Sequence, residues 1–203
     1  MLRLRLPAVL APLLLLFPAL CGAGCASTGL AESWIDPSLR ELPRFQKVFV
    51  AYLGADAPAQ RHAEDALAAH LNGVEAVKAY ELVPDASARD VQQVKQAVRA
   101  AGCDGAIVLR LARVEQELSV TPRPYASPYY SSFGGYWGYA QPYAADVHTD
   151  EIVHVETTFY SLADDKLLYT ARSETFNPGS TARLVDEILE AIAKDLEAKG
   201  LHR

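Results

Sequence analysis

The sequence predicts an α/β fold: a single sandwich with a mixed sheet of about five strands in the order β-α-β-α-β-β-β-α, three helices, and one long hairpin insertion rich in Tyr, Gly and Pro. Three observations carry that expectation. Nearly continuous apolar runs from Lys47 to Leu53 and from Ala106 to Leu111 have the composition of strands buried on both faces, whereas Asp146 to Ser161 alternates as a half-buried strand does. Between and after them, apolar residues recur every three or four positions, the period of an amphipathic helix. Two strand-helix-strand units in succession call for parallel pairing, and the later hairpin adds antiparallel strands.

Taken in order, Val48, Phe49, Val50 and Tyr52 form the first run, which Gly54 ends. Pro58 suits a first helical turn, and Ala63, Ala66, Leu67, His70 and Leu71 then recur up to a stop at Asn72-Gly73. A short strand fits Val74 to Val83. Ser87 is placed to cap the next helix, in which Val91, Val94, Val98 and Ala101 lead to Gly102. Ala112 to Val120 continues the strand begun at Ala106, with Arg110 and Arg113 blurring its faces. In the alternating stretch Val153, Val155, Thr157 and Phe159 face one way, and His148, Asp150, His154 and Glu156 the other. Leu162 to Asp165 turns the chain, and Lys166 to Phe176 returns as the partner strand. Asn177-Pro178-Gly179 makes a further turn, Ser180 is placed to cap, and Leu184, Val185, Ile188, Leu189, Ile192 and Leu196 give a wide apolar stripe closed by Gly200.

The amino terminus reads as an address. Arg3 and Arg5 precede an uncharged apolar run from Leu6 to Leu20, the pattern of a secretory signal. The run is shorter than the ~20 residues of a spanning helix and holds Pro7, Pro12 and Pro18. Gly22-Ala23-Gly24-Cys25 follows and resembles the lipobox of bacterial lipoproteins, departing from it at Gly22, where an aliphatic residue is usual. That resemblance implies a signal peptide at 1–24, cleavage before Cys25 and palmitate or a similar acyl group on Cys25. Ala26 and Ser27 after the cysteine, rather than Asp, resemble outer-membrane sorting, with the domain facing the periplasm. From Ala26 to about Phe45 no sustained period appears, so 25–45 is expected to be a tether, with Trp34 a packing anchor, and 46–203 the globular domain.

Composition removes several functions. The chain has 203 residues and a net charge of −6, which loss of Arg3 and Arg5 makes more negative by two, so nucleic acid is not an expected partner and an anionic membrane would repel the domain. Membrane contact is expected through the lipid on Cys25 alone. With Cys21 discarded and Cys25 acylated, only Cys103 is left, so no internal disulfide can form, and a buried structural thiol is its expected state. The turn Gly54-Ala55-Asp56-Ala57 lacks a glycine-rich phosphate cradle, and no serine elbow, zinc motif or Cys-His pairing can be read. No cofactor, metal or catalytic residue is expected. His148, Asp150, His154 and Glu156 are metal-ligand types on one strand face, but about 26 Å separates the first from the last, so a solvated, charge-paired face is the better reading.

The candidate contact surface is the insertion at 122–144. It holds Tyr125, Tyr129, Tyr130, Phe133, Tyr136, Trp137, Tyr139 and Tyr143 among Pro, Gly and Ser, with Arg123 its only charge. A loop far longer than the usual ~4–6 residues is functional or disordered, and Tyr and Trp with Gly and Ser give large, adaptable contact area, or platforms for sugar rings. Self-packing of a hairpin tip explains the composition as well.

The order of elements looks like the periplasmic lipoprotein domains related to the amino-terminal domain of the Tol-system propeller protein. Ser33-Trp34-Ile35-Asp36-Pro37, the aromatic insertion and Ser173-Glu174-Thr175-Phe176-Asn177-Pro178-Gly179-Ser180 resemble an uncharacterised family of bacterial lipoproteins, a domain of unknown function. The resemblance implies no activity. The expected function is that of a membrane-anchored periplasmic binding or envelope-assembly module, non-enzymatic, whose partner is an envelope protein or peptidoglycan. The alternative is a cell-wall glycan binder or cell-wall-active enzyme.

Overall fold

A computed structural model of the chain describes residues 27–54, 56–83, 91–120, 132–134, 137 and 147–201. Six strands, β1 (Ser27–Ile35), β2 (Lys47–Leu53), β3 (Glu75–Lys78), β4 (Gly105–Val120), β5 (Val147–Ser161) and β6 (Lys166–Phe176), form one open sheet in the order β1-β6-β5-β4-β2-β3. β2 pairs in parallel with β3 and β4, and the other pairings are antiparallel. The helices among the described residues are α1 (Ala57–His70), α2 (Ala79–Leu82), α3 (Val91–Ala100) and α4 (Thr181–Ala198). The mixed α/β fold expected from the sequence is the fold observed.

One face of the sheet carries the main core. Val48, Val50, Leu109, Val153, Val155, Tyr169 and Ala171 meet Ala63 and Leu67 of α1 and Leu184, Val185, Ile188, Ile192 and Leu196 of α4. The two helices of this face, α1 and α4, are capped as their sequences dictate. Asp56 accepts the Ala59 amide at 2.7 Å ahead of Pro58, Ser180 accepts the Arg183 amide at 3.2 Å, and Gly200 stops α4 with φ +78. On the opposite face α2 and α3 cover only the β2–β4 side, where Phe49, Ala51 and Ala106 pack against Ala79 and Val98. Ser87, expected as the cap of α3, lies outside the described residues.

Two elements differ from expectation. The stretch assigned to the tether contains a sixth strand: β1 pairs with β6 along its length and forms a sheet edge. A bulge at Ala31 explains why no period shows. Thr28 and Leu30 are shielded before it and Ser33 and Ile35 after it, so a period of two breaks in the middle. Ile35 packs on the core, while Trp34, expected as the anchor, is 45% exposed on the other face. The second difference is at Val74 to Val83, where a four-residue strand gives way to the single turn of α2. Glu64, fully buried on α1, takes the place of the missing strand. Its carboxylate accepts the Tyr52 amide of β2 at 3.0 Å and the Tyr80 amide of α2 at 2.9 Å.

Candidate functional site

The two central strands outrun everything packed around them. β4 and β5 pair from Gly105↔Ser161 to Val120↔Val147, but β2 ends at Leu53↔Arg110 and β6 ends at Phe176↔Ile152. The helix layer stops at the caps Asp56 and Ser180. Beyond those limits Gln116–Val120 and Val147–Glu151 continue as a two-stranded ribbon, about 17 Å long at ~3.4 Å per residue.

The ribbon is amphipathic. Residues directly opposite one another share a face, so Val153↔Val114, Glu151↔Gln116, Thr149↔Leu118 and Val147 all lie on the side that carries the core lower down. With no helix above them, Leu118 is 74% exposed, Val147 56% and Val114 45%. The other face is polar. Ser119 donates to Asp150, and Asn177 Nδ2 donates to the same carboxylate at 2.8 Å, and these two bonds hold the Asp150 carboxyl below its usual range. Asn177 also locks the ribbon's base, exchanging bonds with the backbone of Glu151 from a positive φ of 49.

That polar face continues down the sheet as a charge ladder. Arg110 pairs with Glu156 across β4 and β5, and Arg172, opposite Glu156, reaches Glu32 on β1 at 3.4 Å. His154 lies 3.5 Å from both Glu115 and Glu174. Asp150, His154 and Glu156 are thus engaged by neighbours on β4 and β6 and by Asn177. Among the described residues no group of three or more His, Cys, Asp or Glu side chains is placed to hold a metal ion. A bulge at Ala112 puts both Arg110 and Arg113 on this face, which is why they blur the pattern of β4.

Of the residues expected to make contacts, Phe133 and Trp137 are described. Both are exposed, at 79% and 61%, and their rings stack with centroids 5.8 Å apart. They lie in the chain segment that leaves the ribbon at Val120 and re-enters it at Val147. Tyr125, Tyr129, Tyr130, Tyr136, Tyr139 and Tyr143, and the lipidation candidate Cys25, lie outside the described residues. Cys103 is a free, partly buried thiol whose burial pushes its pKa up. No helix among the described residues is long and apolar enough to cross a membrane.

The exposed apolar face of the ribbon was not anticipated. Its signal is partial in Val114-Glu115-Gln116-Glu117-Leu118, where Val114 and Leu118 share a face with Gln116 between them, and only the lengths of β2, β6 and the helices decide that the face is bare.

The chain matches no protein-family model and no curated protein. Among solved structures it is similar to a PelC dodecamer subunit from Paraburkholderia phytofirmans, at 9% identity over 82% of this chain and 96% of that one, with a TM-score of 0.41. It is also similar to the lipoprotein GNA1162 from Neisseria meningitidis, at 12% identity over 75% of this chain and 98% of that one, with a TM-score of 0.43. Likenesses of this size carry no functional conclusion.

Proposed function

We propose that the protein is a lipid-anchored module of the bacterial envelope that works by contact rather than catalysis, using the ribbon end of its sheet. The observation that carries this reading is the exposed Leu118 and Val147 on one face of the projecting ribbon, with Val114 exposed just below them and the stacked Phe133–Trp137 pair in the segment that joins the two strands. Isolated exposed apolar residues are ordinary on a protein surface, but several on one face of a ribbon that nothing covers favour an interaction site. The address at 1–25 supports an outer-membrane anchor through an acyl group on Cys25. A photo-reactive residue in place of Leu118, in living cells, is expected to capture an envelope component well above a control at Glu190 on the outer face of α4. Equal capture at the two positions would overturn the reading.

Glycan binding has one observation in its favour. At the base of the ribbon lies an open cleft of about 330 Å3, lined by Tyr52, Leu111, Val114 and Val153 together with Asp56, Glu151, Ser180 and Thr181. Carboxylates and hydroxyls beside apolar side chains suit a sugar. Titration calorimetry with soluble muropeptides tests it, and absence of heat at millimolar ligand removes it.

A further inference from the structure

We infer that the ribbon end faces the membrane and that its apolar face and the Phe133–Trp137 pair enter the lipid–water interface, as a second membrane contact beside the acyl chain. The inference deepens the reading of Cys25 as lipidated and rests on it.

Strand register and chain length set which end of the domain the anchor leaves. Ser27 pairs with Phe176, Phe176 with Ile152, and Ile152 with Glu115, so the first residue of β1 lies level with the base of the ribbon. Strand β1 runs away from that level, toward Ile35 opposite Tyr169. The anchor therefore leaves the domain at the end from which the ribbon projects. Only Ala26 separates Cys25 from Ser27, so an extended chain places the anchored residue at most about 7 Å from that level. The ribbon reaches about 17 Å beyond it. With the strands upright, a domain held that closely passes the ribbon tip through the ~5–7 Å headgroup layer, and with the sheet leaning toward the bilayer the ribbon lies along the surface.

The chemistry of the ribbon and of the segment that joins its strands suits that place. Trp at a membrane interface seats an amphipathic ring at headgroup level, and Leu118 and Val147 share one face of the ribbon while Glu117 and Asp150 share the other. The acidic face excludes an anionic surface as the preferred one, so the occupant is a zwitterionic phospholipid interface. Trp34, the chain's other tryptophan, supplies an internal control. It is opposite Thr170, about 23 Å down the sheet from Ser27.

The test uses the full, processed chain in phosphatidylcholine vesicles whose acyl chains are brominated near the headgroup. Trp34→Phe leaves Trp137 as the emitter, and Trp137→Phe leaves Trp34; both positions are exposed, so neither exchange disturbs the core. Trp137 is expected to shift to the blue and lose most of its emission, and Trp34 to keep its own. Adding Leu118→Asp and Val147→Asp is expected to restore the Trp137 emission while the protein stays on the vesicles. Unquenched Trp137 in a protein whose mass spectrum shows acylated Cys25, or equal quenching of both tryptophans, overturns the inference and leaves the anchor standing. A mass spectrum without an acyl group on Cys25 overturns the anchor and the inference together.

Discussion

Glu64 is a charged residue with the burial of a leucine. Its two carboxylate oxygens terminate backbone amides on β2 and α2, and Gln60 Nε2 adds a third bond at 2.9 Å. Glu64→Gln exchanges one acceptor for a donor facing an amide, so it is expected to lower stability by about 1–3 kcal/mol in urea denaturation. Nothing in the sequence marks this residue, because its burial follows from β3 being too short to pair with the end of β2. Thr157 is the converse case: among the described residues its buried Oγ1 alone finds no hydrogen-bond partner. Thr157→Val keeps the shape and removes the orphaned hydroxyl, and is expected to raise stability by about 1 kcal/mol in the same measurement. Asp36 follows β1. Its carboxylate pairs with Lys166 and accepts the Ser38 amide and hydroxyl, which together hold its pKa at about 2. A carboxyl depressed in the folded state stabilises fully above its unfolded value of ~3.9 and loses that contribution as pH falls through about 2. Stability measured from pH 5 to 2 is therefore expected to fall less steeply for Asp36→Asn than for the unsubstituted chain.

At the scale of elements, what could be read was what repeats locally. The stripe of α4, the alternation of β5 and the stops at Gly102 and Gly200 are set by periods and caps within a few residues, and they stand where the sequence places them. Strand β1 was hidden by its bulge, and the ribbon by the fact that its exposure depends on neighbours ending early. Each has a direct check. Amides of Ser27–Ile35 that bond to β6 are expected to resist hydrogen exchange, alternating with outward amides that exchange quickly; uniformly fast exchange would restore a tether. Leu118→Ser, on the uncovered ribbon face, is expected to leave the unfolding free energy from urea denaturation within about 0.5 kcal/mol of its original value, since the side chain is mostly exposed there.

For the whole molecule, the register of β1 turns a list of parts into an orientation. A lipid on Cys25 followed by twenty unstructured residues would let the domain wander. A lipid on Cys25, followed at once by a sheet strand, would bring to the membrane the end from which the ribbon projects. The sequence proposes an address in Gly22-Ala23-Gly24-Cys25 and a contact surface in the aromatic stretch, but that Ser27 lies level with the base of the ribbon is a property of the fold: it passes through three strand pairings that no local pattern specifies. Neutron reflectometry of the processed chain on a supported phosphatidylcholine bilayer tests this arrangement most directly. It should show protein density that begins inside the headgroup layer, with no intervening water. A hydrated gap of about 30 Å, the reach of a partly extended tether, would contradict it.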